Sequence, residues 1–123
     1  MALTIDRFAR VLVVEDDPSV RKLTEIVLTC AGYDVRTSSC PSDALAVIAA
    51  HPDIDVVLAD VLLPEMTGFD FVEEAQRIAP SMRVVFMSGV SSDLFKRGVS
   101  ERFLPKPFTV AALKTVIDEA AAA

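Results

Sequence analysis

The sequence predicts a doubly wound α/β domain: a five-stranded parallel sheet in the order 2-1-3-4-5 with helices on both faces. Three observations carry that prediction. Short all-apolar runs at 11–14 and 56–59 have the character of strands buried on both faces. Helical segments alternate with such runs, which means parallel pairing through right-handed crossovers. Five strand–helix units follow one another, and that number fits the 2-1-3-4-5 order. At 123 residues the chain reads as a single domain with its core over about 10–120.

The first strand is Val11, Leu12, Val13 and Val14. Asp17 caps the next helix, with Pro18 at the first helical position, where its missing N–H costs nothing. Val20, Leu23, Val27 and Cys30 form the expected apolar stripe, and Gly32 supplies the stop. A second strand covers 33–37, and a helix over 41–50 carries Leu45 and Ile48 as its larger apolar side chains. The third strand, 56–59, ends at Asp60. A third helix over about 67–78 is expected to bury Phe71, Val72, Ala75 and Ile78. The fourth strand is 84–87, and a short helical piece near 92–97 leads to a fifth strand at 102–104. The last helix starts after Thr109 as its cap, with Phe108 stapled onto Leu113 and a stripe of Val110, Leu113 and Ile117.

Composition narrows the class. Hydrophobic residues make up 52% and charged residues 24%, the balance of a soluble globular protein. No apolar run approaches the roughly 18 residues of a membrane span, and the first ten positions lack a signal-peptide core. The expected location is the cytoplasm. A formal charge of −6 argues against direct nucleic-acid binding, which needs a basic surface. Cys30 and Cys40 are too far apart for a CxxC motif and read as ordinary thiols. His51, the single histidine, reads as a helix-end residue.

The chemistry gathers where the strands end. Glu15, Asp16 and Asp17 follow strand one, Asp60 ends strand three, Ser88 and Gly89 follow strand four, and Lys106-Pro107 follows strand five. In a doubly wound sheet these carboxyl ends share one edge, the edge at which such folds bind ligands. Clustered carboxylates repel one another unless a cation joins them, and magnesium, a hard ion, takes oxygen ligands. Asp16 and Asp60 would bind it directly and Glu15 through water. Asp60 is then the candidate nucleophile, a carboxylate able to form an acyl phosphate. Lys106 offers a compact positive charge to the same phosphoryl oxygens, and Ser88 a hydroxyl donor. A cis Lys106–Pro107 bond would make the tight turn this geometry needs. Taken singly, each piece also fits a plain reading as solvated turn, cap or exposed lysine.

Together and in order, these pieces resemble the receiver domain of two-component response regulators, over nearly the whole chain. The matching residues are Glu15-Asp16-Asp17, Asp60 with Leu63-Pro64 and Gly68, Met87-Ser88-Gly89, and Lys106-Pro107-Phe108. The resemblance implies a flavodoxin-like fold with Asp60 as phosphoacceptor and Asp16 as main acidic magnesium ligand. It makes Glu15 the outer member of the acidic pair and Leu62 a backbone-carbonyl ligand. Ser88 becomes the switch hydroxyl, Lys106 the phosphate-binding lysine and Phe103 the switch aromatic. The implied donor is a phosphohistidine on a histidine kinase or histidine phosphotransfer protein. The output would pass to a downstream protein or a covalently attached kinase, without nucleic-acid or membrane contact. The protein would be a switch and not an enzyme, with at most slow self-dephosphorylation.

The chain departs from the family in three places. Phe103 has no hydroxyl, so its coupling to Ser88 must be by packing. Leu63 stands where many members carry methionine, a volume-conserving change. The stretch 88–106 is short for the family, leaving one or two turns for a fourth helix.

Other readings explain the residues less well. A docking module that lost the switch has no need of Glu15, Asp16, Asp60, Ser88 and Lys106 together. A flavin phosphate would want a loop of backbone donors after strand one, where Glu15-Asp16-Asp17 would repel it. A phosphatase with an aspartyl intermediate would want a second acid at Leu62.

Overall fold

Alternation along each strand explains the two-sided core. In the computed structural model, which describes residues 9–89 and 102–123, five parallel strands form one sheet in the order β2-β1-β3-β4-β5. The strands are β1 (Arg10–Val14), β2 (Asp34–Ser38), β3 (Val56–Asp60), β4 (Arg83–Ser88) and β5 (Arg102–Pro105). Four helices accompany them: α1 (Pro18–Cys30), α2 (Pro41–Ala50), α3 (Gly68–Ile78) and α4 (Val110–Ala122). Successive strand side chains point to opposite faces. Leu12, Val14, Val57, Ala59, Val84 and Phe86 therefore pack with Ala44, Ile48, Phe71 and Ala75 of α2 and α3. Val11, Val13, Val56, Leu58, Val85 and Met87 pack on the other face with Leu28, Leu113, Ile117 and Ala120 of α1 and α4.

Local signals set the helix ends as the sequence predicts. Asp17 accepts from the backbone N–H of Ser19 and Val20, and Thr109 from that of Ala112. Phe108 is half-buried in the same cluster as Leu113. The Lys106–Pro107 bond is cis. Among the described residues no helix is long and apolar enough to cross a membrane. The helical piece expected at 92–97, and with it the shortened fourth helix, lies outside the described residues.

Several buried faces differ from the prediction. In α1 the fully buried residues are Thr24 and Leu28, while Leu23 is 54% exposed and Cys30 lies on the surface. The stripe is rotated because Thr24 donates its hydroxyl to the Val20 carbonyl at 2.7 Å, which lets a polar residue enter the core. Ile78 is exposed because α3 stops there, and Ala79 and Met82 take its place. Val110, the first residue of α4, also faces solvent, and Leu113, Val116, Ile117 and Ala120 form the buried stripe. Strand β2 begins one position later than expected, at Asp34.

Candidate functional site

Strand pairing brings the acidic groups together. β1 and β3 are neighbours with Val14 opposite Ala59, so Glu15 and Asp16 leave the sheet beside Asp60. One carboxylate oxygen from each of Glu15, Asp16 and Asp60 lies within 4.8 Å of the others. Lys106 arrives from β5, where its backbone N–H donates to the Ser88 carbonyl at 2.8 Å and continues the ladder. Its Nζ lies 2.5 Å from both Glu15 Oε1 and Asp60 Oδ2. The ammonium thus bridges the buried carboxylates of two different strand ends.

Burial sets the electrostatics. Glu15 is 1% exposed and Asp60 6%, whereas Asp16 faces solvent. Desolvation pushes the Glu15 carboxyl above its ordinary value, against the opposing hydrogen bonds from Lys106 and the Asp17 N–H. For Lys106, burial lowers the pKa, but the hydrogen bonds to Asp60 and Glu15 outweigh it and hold it above the ordinary lysine value. The site therefore carries its lysine charged. Both Glu15 oxygens are engaged, one with Lys106 and one with the Asp17 N–H at 3.1 Å. That engagement suits a role toward a metal through water. Asp16 makes no hydrogen bond or ion pair among the described residues and is open to an ion.

The segment after Asp60 is folded back on itself. The Leu62 N–H donates to Asp60 Oδ1 at 2.9 Å, Leu62 bridges to Thr67, and the Gly68 N–H donates to the Val61 carbonyl at 2.8 Å. Gly68 is required by close approach, because a Cβ there would sit 2.3 Å from the Asp60 carbonyl oxygen. Thr67 caps α3 by accepting from the Asp70 N–H at 3.1 Å.

Ser88 is buried at the end of β4, one strand from Asp60, which lies opposite Met87. Phe103 is not part of the charged cluster. It lies half-buried on the α2–α3 face, 5.5 Å from the Phe86 ring and 6.4 Å from that of Phe69. The sequence reading missed two contributors. Arg21 of α1 donates to the Glu15 carbonyl at 2.9 Å, and Glu65 reaches from the β3–α3 loop to Ser42 of α2. Neither lies in a motif; an arginine one helical turn past a cap carries no distinctive signal.

The donor set fits magnesium. Its ligands are hard oxygens, and an octahedral ion with bonds of about 2.1 Å spaces them roughly 3–4 Å apart. The carboxylate oxygens of Glu15, Asp16 and Asp60 all lie within 4.8 Å of one another, compatible with such an ion.

Sheet order and acidic edge define the class: a doubly wound α/β domain with its charged site at the carboxyl ends of β1, β3 and β5. The chain belongs to the response regulator receiver domain family, which matches residues 11–118. It is similar to the sensor kinase CckA of Brucella abortus, 34% identical over 116 residues, covering 90% of this chain and 12% of that protein. The DNA-binding transcriptional regulator NtrC of Rhizobium meliloti is 34% identical over 118 residues, covering 93% of this chain and 24% of that protein. The structure of the chemotaxis protein CheY4 of Vibrio cholerae matches with a TM-score of 0.85 at 29% identity, covering 93% of this chain and 99% of that one. This chain spans 12% and 24% of the length of the two curated relatives just described. Receiver domains are the signalling switches of two-component systems, and they bind magnesium at an acidic pocket.

Proposed function

We propose that this receiver domain takes a phosphoryl group onto Asp60 from a phosphohistidine of a histidine kinase or histidine phosphotransfer protein. The observation that carries this reading is the Asp60 carboxylate clustered with the Glu15 and Asp16 acids and bonded to the Lys106 ammonium, which also reaches Glu15. A carboxylate oxygen of Asp60 attacks phosphorus, the phosphorus–nitrogen bond breaks, and the histidine nitrogen leaves with the bond's electron pair. Asp16, Asp60 and the Leu62 carbonyl would hold Mg2+, with Glu15 acting through water, and the ion would neutralise charge on the transferring oxygens. Lys106 turns from the Asp60 carboxylate to the phosphoryl oxygens, and Ser88 donates its hydroxyl to them. Lys106 draws the loop after β5 inward, and Phe103 packs toward the space that Ser88 leaves. Such a shift needs only a few kcal/mol of differential stabilisation between two pre-existing states. Slow hydrolysis of the acyl phosphate resets the switch.

A cleft of about 420 Å³ beside Lys106, lined by Val20, Leu23, Gly89, Lys106, Pro107 and Phe108, supports docking of the donor along α1. The output partner is a protein, either separate or an attached kinase, and the location is the cytoplasm. Intact mass after incubation with acetyl phosphate and magnesium tests the reading. The expected result is one phosphoryl increment in the wild type, absent in Asp60→Asn and absent with a chelator. An increment that survives Asp60→Asn would overturn it.

A further inference from the structure

We propose that Glu65 is a positioning residue: its carboxylate ties the loop after Asp60 to the first turn of α2 and so presets the Leu62 carbonyl for magnesium. The inference rests on the phosphoacceptor reading above.

Helix α2 begins without a cap of its own. Cys40, at its N-cap position, is extended and makes no side-chain capping bond. Glu65, from a different element, fills the place. Its Oε1 accepts the Ser42 N–H and its Oε2 the Ser42 hydroxyl, both at 3.0 Å. A carboxylate is favoured there, because the first N–H groups of a helix lack partners and carry partial positive charge.

The backbone of Glu65 points the same way. Its φ of 72° lies in the left-handed region, unusual for a residue with a long side chain. The Met66 N–H donates to the Pro64 carbonyl at 2.8 Å and closes a three-residue turn around it. Such a conformation persists where surrounding contacts over-determine it, and the paired bonds to Ser42 are those contacts.

The loop is also short and closed at its base. The Leu62–Thr67 bridge and the Leu62 N–H bond to Asp60 Oδ1 anchor one end at the phosphoacceptor. Only Leu63 and Pro64 separate Leu62 from the anchored tip. Leu62 keeps its own N–H bond when Glu65 is freed, but the Leu62–Leu63 peptide plane, which carries the Leu62 carbonyl, loses its hold on the Glu65 side, while the acidic ligands stay in place on their strands.

Calorimetric titration with magnesium chloride, run beside thermal melts, tests this in five proteins: wild type, Glu65→Ala, Glu65→Gly, Glu65→Gln and Ser42→Ala. Partners that orient metal ligands commonly change metal affinity by 10-fold or more, and for a contact one segment further out about 3–10-fold weaker binding is expected in Glu65→Ala, with a smaller loss in Ser42→Ala, which keeps the backbone N–H bond to Glu65. Glu65→Gln can still accept the Ser42 N–H with its amide oxygen and donate its amide N–H to the Ser42 hydroxyl, and should recover affinity to within about twofold of wild type. Glu65→Gly separates the clamp from the strained backbone: it should melt higher than Glu65→Ala yet bind magnesium as weakly. Affinities of Glu65→Ala and Glu65→Gly within about twofold of wild type would overturn the proposal, whatever their melting temperatures. A wild type that binds no magnesium would instead overturn the metal-assisted reading on which the proposal rests.

Discussion

Lys106 Nζ stands 2.5 Å from Asp60 Oδ2, reaching across the end of β4 from the strand beyond it. The same nitrogen holds Glu15, so one ammonium satisfies two carboxylates that would otherwise face each other in a buried setting.

Removing that ammonium isolates the two acids. Lys106→Met is expected to lower unfolding stability by about 2–3 kcal/mol at neutral pH, below the usual cost of breaking a buried pair because the Lys106 side chain is partly exposed. Urea denaturation measures the loss, and magnesium should restore part of it by replacing the missing positive charge. A variant as stable as wild type would show that the bridge is not a net stabiliser.

Magnesium should stabilise the folded protein through the acidic cluster. At 100 times its dissociation constant the ion adds about 2.7 kcal/mol, readable as a rise in melting temperature. Asp16 is exposed and makes no bond within the described residues, so Asp16→Asn should leave the metal-free melt nearly unchanged and remove most of the rise. A full magnesium shift in Asp16→Asn would exclude this aspartate as a ligand.

Gly68→Ala pits helix propensity against space. Alanine is favoured over glycine by about 1 kcal/mol inside a helix, but the added Cβ would stand 2.3 Å from the Asp60 carbonyl oxygen and 3.0 Å from Val61 Cα. Both neighbours are backbone, so the clash wins and a net loss of about 2 kcal/mol is expected in urea denaturation. Because the displaced strand end carries Asp60, phosphorylation by acetyl phosphate should slow in the same variant.

Tyr33 gives a clean pH readout, being the single tyrosine in a chain without tryptophan. Burial pushes its phenol above the ordinary value of 10.0, and its hydrogen bond to the Asp118 carboxylate pushes in the same direction. The folded state thus keeps a proton that the unfolded chain loses. Its contribution to stability is complete below pH of about 10 and disappears as pH rises from there through the folded pKa. Absorbance titration should show phenolate forming later than in an unfolded reference, and earlier in Asp118→Asn than in wild type. An unchanged midpoint in Asp118→Asn would assign the shift to burial alone.

What the sequence determined by itself was local. The apolar runs at 11–14 and 56–59 mark strands because both faces of a central parallel strand are covered. Asp17 and Thr109 mark helix starts because a cap bonds only to residues two or three further along. The order of strand ends was enough to bring Glu15, Asp16 and Asp60 to one edge. Helix phase was less legible: Thr24 counts as polar in any periodicity, yet its bond to Val20 lets it replace Leu23 in the core. The tertiary structure decided the rest. Lys106 meets Glu15 across 91 positions and Glu65 meets Ser42 across 23. The Phe69, Phe86 and Phe103 rings likewise meet only once β4 and β5 pair under α3. A left-handed glutamate gives no turn signal, since glycine or asparagine is the residue that chain geometry alone would select. Such contacts depend on which strands become neighbours and how far each side chain reaches across the edge, and neither is written in any short window of the chain.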